Sequence, residues 1–252
     1  MKHPETRKQI PGAKAAVLFI HGIVGTPDHF RNMVPMEASV PEHWSVYNLR
    51  LPGHGGSVGD FAHSSMCEWK RHVWEAFAEL AKDHEKVILV GHSMGTLFAL
   101  QLAAENPEKV AGLFLLACPM RPCLRISGIG NMLRLTFGGI REDRPVEAAT
   151  KAACGVEPTA RIWRYIAWIP RFLELFSEIG RTEKMLHRLD TPCLVWQSRR
   201  DELVMGASRK VLEKVKSMEV RTLADSTHFY YADGDQLRLI REFEKFCAAM
   251  QA

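Results

Sequence analysis

The chain has 252 residues, 46% of them hydrophobic and 25% charged, with a formal net charge of +4. That describes one large globular domain, or one core carrying an insertion. The charge is too mild to argue for a nucleic-acid partner, and no run approaches the roughly 18 unbroken apolar residues that span a bilayer.

MKHPETRKQIPGAK is charged but has no apolar h-region, so no secretory signal is expected. Six cysteines (67, 118, 123, 154, 193 and 247) lack any paired spacing and read as buried thiols of a cytoplasmic protein. AAVLFI (15–20) is the first predicted strand, followed by the turn-rich HGIVGTPDHF; SVYNL (45–49) is the second, ending in RLPGHGGS. In the segment 67–85, Trp69, Val73, Ala76, Phe77 and Leu80 share one face at helical spacing. KVILVG (86–91) is the third strand and runs straight into GHSMGTLFALQLAAENP, a helix stopped at Asn106-Pro107. VAGLFLLA (110–117), CLVWQS (193–198) and MEVRTLA (218–224) are the remaining strands, and QLRLIREFEKFCAAM is a final helix.

Continuous apolar strands alternating with helices predict a mostly parallel sheet of about six strands, covered by helices on both faces. About 75 residues separate the strands at 110–117 and 193–198, far more than one crossover needs. Within that interval Ile162, Tyr165, Ile166 and Ile169, then Leu173, Phe176 and Ile179, recur at helical spacing, and Pro170 suits a helix start. Residues 120–185 are therefore predicted to be an inserted helical cap, with 1–119 and 186–252 as the core.

The chemistry centres on Gly91-His92-Ser93-Met94-Gly95, which is G-x-S-x-G between a strand and a helix, a nucleophile elbow. A tight strand-to-helix turn strains the serine backbone, so its neighbours two residues away must lack bulk. A serine hydroxyl needs a base, usually His, oriented by an acid. The order along such a chain is Ser, acid, His. Only His187 and His228 follow Ser93; His187 sits in polar EKMLHRLD, whereas His228 lies just past the last strand in DSTHFYY. Asp201, after the fifth strand, is the expected acid, with Glu202 and Asp225 as rivals. Backbone N–H groups of Met94 and Ile23 are the expected oxyanion donors, with Val24 an off-by-one alternative to Ile23.

Together FIHG, LPGHGGS, VGHSMG, SRRDELV and STHF resemble the α/β-hydrolase superfamily, within it the monoacylglycerol lipase, lysophospholipase and small carboxylesterase group. The resemblance implies an α/β-hydrolase fold and a carboxylic-ester hydrolase that uses no metal or organic cofactor. The same triad also serves thioesterases, serine peptidases, acyltransferases and carbon–carbon bond hydrolases, and the fold includes non-enzymatic ligand binders. Members commonly carry two antiparallel strands before the HG strand; only about 14 residues precede it here, so a shortened sheet is expected. His21 and His54 belong to turn motifs and are expected to hold loops.

The substrate is expected to be a small-molecule ester or lipid. Cys118, Met132, Leu135, Trp163 and Trp168 are candidate pocket walls, although apolar cap residues can equally pack the cap onto the core. Cys118 and Cys123 lack the second ligand pair that a zinc site needs. Residues 120–185 hold eleven Lys/Arg against seven Asp/Glu, an excess that equals the whole chain's. No membrane insertion is expected, and at most a weak, salt-sensitive contact with anionic lipid through the cap.

Overall fold

The computed structural model describes residues 3–123 and 126–250, with the side chains of 126–129, 131 and 132 outside that description. In chain order the strands are β1 (Thr6–Lys8), β2 (Ala15–Ile20), β3 (Ser45–Asn48), β4 (Gly56–Ser57), β5 (Lys86–His92), β6 (Val110–Leu116), β7 (Val156–Glu157), β8 (Cys193–Ser198) and β9 (Met218–Leu223). The α-helices are α1 (Val58–His63), α2 (Met66–Asp83), α3 (Met94–Glu105), α4 (Ile126–Phe137), α5 (Pro145–Ala153), α6 (Ile169–Met185), α7 (Ala207–Leu212) and α8 (Asp233–Ala249). A 3-10 segment, Ile162–Trp168, leads into α6.

Seven strands form the main sheet in the order β1-β3-β2-β5-β6-β8-β9, all parallel except β1 against β3. Six of them are the predicted parallel strands, so the fold is the expected α/β-hydrolase fold. The seventh, β1, was not expected. It is a polar edge strand with Arg7 and Lys8 exposed, so it carries no apolar run to betray it. Charge on an edge strand also discourages pairing with another chain. Arg7 is fixed there over the Tyr47 ring and against Glu79.

Alternation along the strands divides the core in two. Leu18, Leu89, Leu113 and Val195 meet α1, α2 and α3 on one face, while Phe19, Val90, Phe114 and Trp196 meet α8 and Phe30 on the other. Helix α2 buries its predicted stripe of Trp69, Val73, Ala76, Phe77 and Leu80. Cys67 lies off that stripe and is exposed, which corrects the expectation of buried thiols; Cys118, Cys193 and Cys247 are buried.

Between β6 and β8 the chain inserts α4, α5, β7, the 3-10 segment and α6. This stretch is tied to the core at several points. Strand β7 pairs with β4, the Trp168 indole N–H donates to the Val58 carbonyl (3.0 Å), and Gln101 of α3 donates to Glu178 and Thr182 of α6. The apolar positions of the insertion divide against expectation. Ile179 is buried, whereas Ile162 and Ile166 of the 3-10 segment and Ile169, Leu173 and Phe176 of α6 are exposed. Among the described residues no helix is long and apolar enough to cross a membrane.

Helix α3 lies so close to β2 that a Cβ on Gly95 would overlap the Ile20 carbonyl. Gly95→Ala is expected to lower unfolding free energy by about 1–3 kcal/mol or more in urea titration. Gly180→Ala, in α6 with open space around it, should instead be neutral or gain about 0.5–1 kcal/mol. Equal midpoints for the two variants would contradict this packing.

Candidate active site

Strand β5 ends at His92 and α3 begins at Met94, which leaves Ser93 as the turn between them at φ 51°, ψ −120°. That left-handed backbone is one non-glycine residues avoid, so it persists only because the surroundings over-determine it. The Ser93 N–H donates to the Leu116 carbonyl (2.9 Å), and the Ser93 carbonyl accepts from the Thr96 N–H (3.0 Å) and hydroxyl (2.6 Å). A Cβ on Gly91 would sit 2.8 Å from Thr96 N, and one on Gly22 would sit 2.9 Å from Ser93 Cβ. The loop after β2 therefore lies directly against Ser93.

That loop carries Ile23 and Val24. Val24 has φ 59°, and both of its backbone groups are occupied: its N–H donates to His54 Nε2 (3.1 Å) and its carbonyl accepts from the Gly155 N–H (2.7 Å). Of the two alternatives for an oxyanion donor, Val24 has its N–H already committed. Met94 opens α3, where first-turn N–H groups lack intrahelical partners and the helix dipole favours negative charge. His21 and His54 do hold loops. His21 Nε2 accepts from the Leu51 N–H, and the opposite ring nitrogens donate to the Gly22 and Pro52 carbonyls. Burial pushes the His54 imidazolium down to about 4 and His21 well below the ordinary histidine value, so both rings are neutral.

Asp201 and His228, 27 residues apart in sequence, meet in the interior. His228 Nδ1 lies 2.9 Å from Asp201 Oδ2 and 3.1 Å from Oδ1, with both side chains 2% exposed. Asp201 Oδ1 also accepts the N–H groups of Leu203 and Val204, each at 2.8 Å. The rivals have other partners. Asp225 is exposed and paired with Arg200, while Glu202 accepts the His228 backbone N–H at 3.1 Å. His187 is exposed at the end of the insertion. Burial alone would push the His228 imidazolium down. The Asp201 charge and hydrogen bond, with a contribution from Glu202, outweigh it and hold His228 above the ordinary histidine value. With Nδ1 committed to a carboxylate, Nε2 is the ring position open to take up a proton.

Two neighbours escaped sequence reasoning. His92 Nε2 donates to the His228 carbonyl (3.1 Å), and His29 stacks on His92 with ring centroids 3.7 Å apart. Neither carries a motif signal, because each contact is made to backbone or ring atoms far along the chain.

The candidate pocket residues are scattered. Cys118 is buried at the end of β6, where its carbonyl accepts from Gln197. Trp168 is buried against Phe61, and Leu135 is half-buried. Trp163 is exposed, and the Met132 side chain lies outside the described residues. Two surface cavities of about 480 and 500 Å³ are lined from around Met218 and from around Arg50, and neither includes Ser93 or His228. Among the described residues no cluster of three His, Cys, Asp or Glu side chains is arranged to hold a metal ion.

Comparison with known proteins agrees with this architecture. A thermostable monoacylglycerol lipase from Bacillus sp. (strain H-257) is 26% identical over 241 residues, covering 92% of this chain and 90% of that protein. A pimeloyl-[acyl-carrier protein] methyl ester esterase from Neisseria meningitidis serogroup A is 30% identical over 223 residues, 85% of this chain and 62% of that protein. Among solved structures, the monoacylglycerol lipase of Paleococcus ferrophilus superposes with a TM-score of 0.70 at 18% identity, over 99% of this chain and 100% of that one. A structure from a study of the metagenome-derived lipolytic enzymes LipS and LipT superposes with a TM-score of 0.74 at 22% identity, over 98% of each chain. Residues 17–239 match the model of the Alpha/beta hydrolase family, and the chain belongs to that family.

Proposed function

We propose that this chain is a serine hydrolase that cleaves carboxylic esters through an acyl-enzyme on Ser93. The observation that carries the reading is the buried Asp201–His228 pair, which leaves Nε2 of a histidine to serve a serine held on a strained turn. In this mechanism Ser93 Oγ attacks the ester carbonyl while His228 Nε2 takes its proton. The N–H groups of Ile23 and Met94 receive the negative oxygen of the tetrahedral intermediate. Collapse expels the alcohol, which leaves with the proton from His228. Water, deprotonated by the same nitrogen, then releases the acid and restores Ser93. The lipase and esterase relatives support esters as the substrate class.

The insertion is read as a cap over residues 120–185 that admits small to medium acyl chains or monoacylglycerol-like lipids. The exposed Ile162, Ile166, Ile169, Leu173 and Phe176 share their two segments with exposed Arg164 and Lys184, and exposed Arg161 directly precedes the first. Exposed apolar residues together with cations suit a weak contact with an anionic lipid surface. Sedimentation with anionic vesicles should be detectable at low salt and fall as salt rises; binding that persists at high salt would contradict the electrostatic part.

A fluorophosphonate should label the folded protein, and Ser93→Ala should abolish both labelling and ester turnover; labelling that survives Ser93→Ala would sink the assignment. A panel of esters graded by acyl length, with monoacylglycerols, thioesters and amides, identifies the class that turns over fastest.

The His228 shift sets the acid limb of the pH profile. Only neutral His228 accepts the Ser93 proton, and its conjugate acid is held above the ordinary histidine value of about 6.5. Turnover should therefore fall through a midpoint above that value as pH drops, and a plateau extending to pH ~4 would contradict a histidine base. Asp201→Asn should lower kcat on the order of 10³- to 10⁴-fold. Asp225→Asn should leave it near wild type, and the reverse ranking would reassign the acid.

A further inference from the structure

His228 sits on a loop between β9 and α8, and a loop residue must be held closely if its ring is to meet a serine on another element. The loop fixes part of itself. The Thr227 N–H donates to the Tyr230 carbonyl, and Ser226 is anchored to Asp235 of α8. Neither bond involves the backbone of His228. Its N–H donates to Glu202 Oε2, and its carbonyl accepts from His92 Nε2, each at 3.1 Å. Glu202 directly follows Asp201, and His92 directly precedes Ser93.

We infer that Glu202 and His92 are positioning residues that clamp the two backbone groups of His228 and so set the register of its loop against the Asp201 and Ser93 loops. The inference rests on the serine-hydrolase reading above and adds to it how the base is aimed. A carbonyl oxygen only accepts, so His92 must carry its proton on Nε2. Burial pushes the His92 imidazolium well below the ordinary histidine value, which keeps the ring neutral. The contact therefore places no second cation beside His228. His29 backs the arrangement by stacking on His92 while its Nε2 meets the Tyr231 hydroxyl (3.2 Å), on the same loop as His228. The groups facing the His228 ring or backbone are thus Asp201, Glu202, neutral His92 and Phe229, with His29 and Tyr231 behind them.

Glu202 combines an acceptor oxygen with a negative charge, and two variants separate the roles. Glu202→Ala removes both and should lower kcat on the order of 10- to 100-fold with little change in KM. Glu202→Gln keeps an acceptor and should recover most of kcat, while the acid limb of the pH profile moves to lower pH because a charge that favours imidazolium is gone. His92→Leu should lower kcat without raising KM, and His92→Gln, which can still donate, should recover part of the loss.

The His228 ring, followed by ¹⁵N NMR without any substrate, gives an independent readout. Its titration midpoint should fall in Glu202→Gln, and its Nδ1–H resonance should broaden or shift in His92→Leu. Wild-type kcat and an unchanged His228 titration in these variants would overturn the clamp, while Ser93-dependent turnover in the parent keeps the hydrolase reading intact. A loss of kcat that merely follows a fall in thermal midpoint, with no change in pH limb or ring signals, would also overturn it. Absence of Ser93-dependent turnover in the parent would instead defeat the hydrolase reading, and the ring titration would still decide the clamp.

Discussion

The left-handed turn at Ser93 is the constraint on which the rest of the site depends. A serine at φ 51° is costly, on the order of 1–3 kcal/mol, and only dense packing around it makes the cost sustainable. Three glycines permit that density. Gly91 lets the first turn of α3 fold back, Gly95 lets α3 lie on β2, and Gly22 lets the next loop reach Ser93. The same close approach fixes the loop carrying Ile23, because Val24 beside it is bound on one side by His54 and on the other by Gly155. The sheet, the Ser93 turn and the loop carrying Ile23 are thus one packed unit. The insertion reaches it through the Gly155 N–H on the Val24 carbonyl as well as through α6 on α3.

Around that unit the electrostatics are sharply divided. His21, His29, His54 and His92 are buried, and burial holds each below the ordinary histidine value. They act as neutral donors and acceptors that pin loops. His228 is buried just as deeply, yet it is held above that value because a carboxylate lies against Nδ1. What sets His228 apart from these four is its carboxylate partner, and depth does not distinguish them. Asp201 also accepts the Leu203 and Val204 N–H groups, and a buried donor left unpaired costs about 1–3 kcal/mol, so Asp201 matters to the fold as well.

Legibility in the sequence followed the physics of each feature. Strands such as AAVLFI and KVILVG could be read because both sheet faces are covered, which demands continuous apolar runs. Thr6–Lys8 could not be read, because an exposed edge strand needs no such run. Ser93 was legible because only glycine fits two residues before and two residues after it, at Gly91 and Gly95. Its place after a strand favours Asp201 over Asp225, but each lies near a strand end, and what the structure adds is burial of Asp201 and an Arg200 partner for Asp225. Helical spacing found the apolar positions between 162 and 176 but could not say that they are exposed, because periodicity defines a face without saying what covers it. His92 and Glu202 act on the backbone of a residue distant in sequence, and no local pattern encodes that.

The central claim is that Ser93, served by His228, forms a covalent ester with the acyl group of its substrate. Rapid acid quenching during turnover of an activated short-chain ester, followed by intact and peptide mass spectrometry, tests it most directly. The account predicts a mass increase of one acyl group on the peptide containing Ser93, accumulating when deacylation is slow and absent in Ser93→Ala. Turnover with no acyl adduct under conditions where a product burst is seen, or an adduct on a different residue, would contradict it.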